Sequence, residues 1–154
     1  MIRQERILDF HYIKDDPVRP DLSMEFRIGN HREVYSYVYE GEITAVVCVA
    51  YTNEVPITIA ELEDSSIPPE NAKCAIFYTV WSYKKGFGRS LILDGVPELA
   101  KRYPNLKRFV TLSPKTEMAF KFHTRNGASH IANNPESDNY EYNVSKTVQS
   151  KVIT

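Results

Sequence analysis

Tyr83-Lys84-Lys85-Gly86-Phe87-Gly88-Arg89 sits between an apolar, strand-like run, Cys74 to Trp81, and a helix-like run that opens at Ser90-Leu91-Ile92-Leu93. A glycine turn between a strand and a helix aims several backbone N–H groups at one point, and the positive end of the helix dipole faces the same way. The segment reads either as a cradle for a pyrophosphate or as a strand-to-helix turn that needs glycine for its backbone alone. Gly86 and Gly88 remove side chains where an anion must touch backbone, and glycine tolerates positive φ. Lys84, Lys85 and Arg89 add charge for the same anion. A Rossmann dinucleotide site would need a third glycine, and none follows Gly88 at that interval.

Working outward, the chain reads as an α/β plan with a mixed sheet. Ile7 to Ile13 is expected to be a first strand, broken by Asp15-Asp16-Pro17 and Pro20. Leu22 to Ile28 fits either a short helix or an extended piece. Glu33 to Tyr39 has a two-residue period, with Val34, Ser36 and Val38 on one face and Tyr35, Tyr37 and Tyr39 on the other. Glu40-Gly41-Glu42 then makes a hairpin, and Ile43 to Tyr51 is apolar throughout, hence a strand buried on both faces. Asn53 to Asn71 is a long connection with one helical turn near Ile59. The helix after the glycine turn should run from about Gly88 to Tyr103, with Pro97 kinking or breaking it. Lys107 to Leu112 is the next strand. Ser113-Pro114 reads as the N-cap and first position of a second helix that ends at Gly127. Ile131 marks a short strand and Tyr140 to Val144 another. The chain is expected to be one domain over 1–154, with a mobile tail beyond about residue 146.

Composition narrows the function. A formal net charge of -1 lacks the basic excess of a general nucleic-acid binder. No apolar run reaches the roughly 18–20 residues of a membrane span, so no membrane partner is expected. Cys48 and Cys74 lie in strand-like runs and suit buried free thiols in a reducing cytoplasm. The cysteines and histidines show no metal-ligand spacing.

Two segments carry a resemblance to the GNAT superfamily of acyl-CoA-dependent acyltransferases. The family motif Q/R-x-x-G-x-G/A is similar to Tyr83-Lys84-Lys85-Gly86-Phe87-Gly88, with Tyr83 in place of Gln or Arg. The motif A-x-x-h-Y-x-x-x-G (h apolar) resembles Ala119 to Gly127, with His123 at the position of the proton-donating tyrosine. The likeness covers about Ala75 to Ala128. The two helices that the family inserts after its first strand have little room in this chain, so the resemblance implies an acceptor site that is either open or completed by another chain, with a homo-oligomer as one such case. Lys101 to Pro114 is further similar to a segment of the malonyl-CoA decarboxylase family, which shares the GNAT fold; the serine of the matching Leu-Ser-Pro is catalytic there, which points to Ser113.

The resemblance implies a GNAT-like, mostly antiparallel sheet with splayed central strands, flanking helices and a reduced N-terminal helical part. It implies acetyl-CoA, or another acyl-CoA, as co-substrate and transfer of the acyl group to an amine by direct attack, as in an N-acetyltransferase. The pyrophosphate would lie on the amides of Lys85 to Arg89. Pantetheine would enter between strands parting near Val80 and Thr111. A backbone N–H near Tyr78, Thr79 or Val80 would polarise the thioester. His123 would protonate the thiolate, and water, Glu54 or Glu117 would take the amine's proton. The acceptor is open: a peptide, a small amine, an RNA or a modified base. Two alternatives stand beside transfer. One is other acyl-CoA chemistry, such as decarboxylation with Ser113; the other is a non-catalytic binding domain.

Overall fold

The structure, a computed structural model, describes residues 1–145. In chain order the elements are β1 (Ile2–Glu5), α1 (Phe10–Ile13), α2 (Met24–Ile28), β2 (Glu33–Tyr39), β3 (Glu42–Thr52), α3 (Ile59–Ser65), β4 (Cys74–Ser82), α4 (Phe87–Arg102), β5 (Arg108–Thr111), α5 (Glu117–Arg125), β6 (Ser129–Asn133) and β7 (Asp138–Tyr142). They form one seven-stranded sheet in the order β1-β2-β3-β4-β5-β7-β6. Among the described residues only β4 and β5 pair in parallel. The alternation at 33–39 and the continuous apolar run at 43–51 are thus both strands, joined by a tight turn in which Glu40 and Gly41 take φ of 53° and 79°.

The central strands are buried on both faces because the sheet has a core on each side. Tyr35, Val47 and Phe77 pack with Leu91, Ile92, Val96 and Leu99 of α4 on one side. Val34, Val46, Cys48, Ile76 and Tyr78 pack with Leu8, Ile13 and Leu62 on the other. Cys48 and Cys74 are both free and buried. No helix of the described residues is long and apolar enough to cross a membrane.

Three expectations need correction, and one left open between two readings is settled. The first strand is Ile2–Glu5, paired with β2, whereas residues 10–13 form a single helical turn. The polar Ile2-Arg3-Gln4-Glu5 hides its pattern because an edge strand leaves one flank in water. Phe10, which would have faced a core in a strand, is 76% exposed. Leu22–Ile28 resolves as the short helix α2, capped by the Ser23 hydroxyl accepting from the Phe26 N–H. Pro97 lies inside α4, which continues unbroken to Arg102. The buried stripe Leu91, Ile92, Val96 and Leu99 spans the proline on both sides, so packing holds the helix where propensity would interrupt it. The second helix starts later than Ser113: its N-cap is Thr116, whose Oγ1 accepts from the Ala119 N–H at 3.1 Å. The expected mobile tail lies outside the described residues.

The two short helices of four and five residues before β2 are the reduced N-terminal part of the fold. They are anchored by an ion pair with no exposure on either side chain, Arg27 to Asp16 at 2.9 Å. Arg27 also donates to the carbonyls of Leu22 and Arg19. Asp16 accepts from the backbone N–H groups of Val18 and Arg19, and from the Thr79 hydroxyl on β4. Removing one partner leaves the other charge buried and uncompensated, which costs about 3–5 kcal/mol. Asp16→Ala is therefore expected to lower unfolding free energy by about that amount in urea titration. A loss below about 1 kcal/mol, the scale of an exposed pair, would contradict the arrangement.

Candidate active site

The site begins where β4 and β5 separate. Their parallel ladder ends with Phe77 opposite Thr111, and the last bond across it runs from the Leu112 N–H to the Phe77 carbonyl at 2.9 Å. Beyond that point β4 stays with β3, reaching Ser82 opposite Ala45, after a register shift at Cys48/Val49 that makes Tyr78 the extra residue of a bulge. The other strand turns the opposite way. Ser113 exchanges both backbone bonds with Asp138, at 2.9 and 3.0 Å. Each strand keeps a partner on its outer side, so the gap opens between two intact ladders.

The gap is a cleft of about 680 Å³. Phe77 to Ser82 form one wall, Leu112 to Pro114 the other, and the N-cap Thr116 with Met118, Ala119, Phe122 and His123 of α5 the floor, with Gly88 at one end and Pro17 and Val18 also lining it. Among the described residues that line it there is no Asp, Glu, Lys or Arg. Glu117 instead faces outward and pairs with Lys121 at 2.7 Å, and Glu54 is exposed, so neither carboxylate expected as a base reaches the cleft.

The glycine turn caps the end of the cleft at Gly88. Gly86 is the helix N-cap, at φ 89°, a conformation that a side chain would strain. Gly88 is already helical, and a Cβ there would come only into ordinary contact with the Phe122 ring, at 3.5 Å, so neither backbone nor packing demands glycine at that position. The Phe87 N–H is used within the turn, on the Lys84 carbonyl at 3.3 Å. The amides of Lys85, Gly86, Gly88 and Arg89 have no acceptor among the described residues. Lys85 is exposed, Lys84 pairs loosely with Glu42 at 3.5 Å, and Arg89 donates to Asn126 Oδ1 at 3.0 Å. Tyr83 replaces the motif's Gln or Arg and ties the turn inward: its hydroxyl accepts from the Trp81 indole and donates to Asp15, both at 3.0 Å.

Ser113 and His123 both line the cleft. Ser113 is 3% exposed and is held extended by Asp138, so it caps nothing; its hydroxyl donates to Thr111 Oγ1 at 2.7 Å, which also accepts from the Tyr140 N–H. His123 is 4% exposed. Its Nδ1 meets the Tyr142 hydroxyl at 2.7 Å and its ring stacks on Tyr140 with centroids 5.0 Å apart. Burial pushes the imidazole down to about 4, so the ring is neutral near pH 7. The Tyr142 phenol is shifted up, again by burial, and stays a neutral hydroxyl. With Nδ1 engaged, Nε2 is the ring nitrogen left for the cleft.

Of the bulge residues, Tyr78 turns its ring into the core opposite α4, where it packs edge-on against Phe26, and its carbonyl accepts from the Arg19 guanidinium. Thr79 reaches Asp16, and Val80 packs on the α4 side of the sheet. Sequence reasoning missed three supports: Tyr142 behind His123, Asn126 behind Arg89, and the Asp16–Arg27 pair. The first was accessible in principle, since Tyr140 and Tyr142 alternate and must share the face that meets α5.

A sheet opened at its parallel join, with a donor-rich glycine turn at the mouth, is the fold of the GNAT-type enzymes. The described chain superposes on the GNAT-like decarboxylase GphF, solved with isobutyryl-CoA, with a TM-score of 0.71 over 94% of this chain and 99% of that one at 14% identity. It superposes on malonyl-CoA decarboxylase of Agrobacterium vitis with a TM-score of 0.65 over 88% of this chain and 38% of that one at 24% identity. The family profile of the malonyl-CoA decarboxylase C-terminal domain matches residues 26–148, and the chain belongs to that family. Mitochondrial malonyl-CoA decarboxylase of Mus musculus is 31% identical over 111 residues, 64% of this chain. The chain spans about a quarter of the length of that curated relative, 23%.

A histidine whose folded pKa lies below its unfolded value binds fewer protons when folded. The unfolded chain takes up the proton first, so stability is full above pH ~6.5 and falls as pH drops toward 4. The shift corresponds to a loss on the order of 3 kcal/mol across that window. In urea titrations at pH 7 and pH 4.5, His123→Gln should remove most of this difference while the carboxylate contribution remains. Equal pH dependence in the two proteins would show that the ring is not held neutral by burial.

Proposed function

We infer that this domain binds an acyl-CoA and acts on it by decarboxylation, with a malonyl-type thioester as substrate. Amides of the Lys85–Arg89 turn would hold the diphosphate, helped by Lys85. The apolar cleft would take the pantetheine and acyl group, and its volume of about 680 Å³ is in the range of such sites.

The observation that carries the choice of reaction is the lining of the cleft. Transfer to an amine is helped by a side chain that removes the acceptor's proton at neutral pH, and no carboxylate lines the described cleft, which leaves that task to water. Decarboxylation needs no acceptor. The bond between Cα and the carboxylate breaks, its electron pair forms a double bond between Cα and the thioester carbon, the carbonyl π pair moves onto the thioester oxygen, and carbon dioxide leaves. The enolate then takes a proton at Cα, giving the acetyl thioester. A carboxylate held in apolar surroundings loses hydration that neutral carbon dioxide does not need. Ser113 Oγ–H, a neutral His123 with Nε2–H, and a backbone N–H at the bulge are the donors suited to the developing oxyanion. The tautomer with Tyr142 donating to Nδ1 leaves that Nε2–H in place. The proton taken up at Cα would come from water, directly or relayed through the Ser113 hydroxyl, while His123 stays a hydrogen-bond donor to the oxygen. Membership of a decarboxylase family supports the same choice over transfer from acetyl-CoA.

The test is incubation of the purified protein with malonyl-CoA, following carbon dioxide and acetyl-CoA, alongside acetyl-CoA with a panel of amines. Malonyl-CoA is expected to be converted, with about a hundredfold or greater loss of kcat in Ser113→Ala and in His123→Gln. Thiol release with amines and no release of carbon dioxide would sink the decarboxylase reading. Absence of any thermal stabilisation by coenzyme A would sink acyl-CoA binding altogether.

A further inference from the structure

We propose that Val18, held by the buried Asp16–Arg27 pair, is the specificity wall of the acyl end of the cleft and limits the substituent that the thioester's α carbon can carry. This inference rests on acyl-CoA binding as read above and adds which acyl groups fit. Among the described residues that line the cleft, only Pro17 and Val18 come from the N-terminal 30 residues. Both lie before residue 26, where the match to the family begins, so this wall is contributed by sequence outside the shared segment.

The wall is fixed from behind. One Asp16 oxygen accepts from the N–H groups of Val18 and Arg19, both at 2.9 Å, and from the Thr79 hydroxyl at 2.8 Å; the other accepts from Arg27 at 2.9 Å. Those bonds close a turn around Pro17 and Val18 and join it to the bulge of β4. Arg19, one residue on, donates to the Tyr78 carbonyl of the same bulge. The diphosphate end of the cleft lies at Gly86 and Gly88, so the bulge marks the opposite, thioester end, and Val18 sits there. The residues this loop puts on the cleft, Pro17 and Val18, are aliphatic, and the carboxylate that supports them is paired with Arg27. A partly exposed valine on a loop can change size without opening either core.

One methylene in an apolar pocket is worth about tenfold or more in discrimination. Affinities of coenzyme A, malonyl-CoA and methylmalonyl-CoA for the wild type, Val18→Ala and Val18→Phe, measured by calorimetry, read the wall without requiring turnover. Val18→Ala is expected to move the methylmalonyl-to-malonyl affinity ratio at least about tenfold toward the branched thioester. Val18→Phe is expected to weaken both acyl thioesters about tenfold and to leave coenzyme A within twofold. Asp16→Asn, provided it folds, should lose discrimination as Val18→Ala does; the Val18 variants decide the matter if it does not. Ratios within twofold of wild type in both Val18 variants, with coenzyme A still bound, overturn the wall and leave acyl-CoA binding intact. A wild type that binds no coenzyme A overturns the reading on which the wall rests.

Discussion

The parting of β4 from β5 beyond the Leu112–Phe77 bond is the constraint from which the rest of the site follows. Opening a sheet at its centre ordinarily strands backbone groups, each of which carries a desolvation penalty. Here the opening is local. Below it the parallel ladder from Cys74 to Phe77 is complete, and above it β4 is still paired to β3 while Ser113 is paired to Asp138. The groups released on the inner edges face a cleft that a polar, chain-like ligand can enter as a strand would. The bulge at Tyr78 belongs to the same solution, because an extra residue re-aims the strand at the point where its neighbour departs.

Charge is managed so that the cleft stays apolar. Asp16 is answered by Arg27 and four hydrogen bonds in all, and both side chains are fully enclosed. Glu33, at the far end of the α4 side, is answered by the hydroxyls of Tyr35, Tyr51 and Tyr103. His123 is kept neutral by burial and oriented by Tyr142. No charged side chain lines the cleft among the described residues; Lys84, Lys85 and Arg89 flank the open amides of the turn, and Asp16, Arg27 and Arg19 stand behind the bulge at the other end.

The parts of this arrangement that were legible in the sequence are those set by short-range pattern. The alternation of Glu33 to Tyr39, the apolar run of Ile43 to Tyr51 and the glycine turn each depend on residues within one element, and each was readable. What was not readable depends on partners distant in sequence. Ser113 looked like a helix cap because serine before proline is good capping chemistry. Its actual state is decided by Asp138, twenty-five residues further on, whose backbone claims it for the sheet. Asp15-Asp16-Pro17 looked like a mere breaker because nothing local reveals that Arg27 and Thr79 will enclose Asp16. Pro97 misled for the opposite reason: its local preference was real, and the packing of Leu93, Val96 and Leu99 outweighed it.

The same distinction bears on His123. Its register in the helix placed it at the position of a proton donor for a departing thiolate, and a histidine near its ordinary pKa would suit that task. The structure keeps the position and alters the acid. A buried imidazole with a pKa of about 4 carries almost no proton to give at neutral pH, and its remaining N–H is a hydrogen-bond donor of fixed direction. Such a group serves a reaction in which negative charge appears on an oxygen and must be met in place, more than one in which a leaving group must be protonated. Together with a serine held on the facing wall and a cleft without carboxylates, this makes loss of carbon dioxide a closer fit to the site than transfer to an amine.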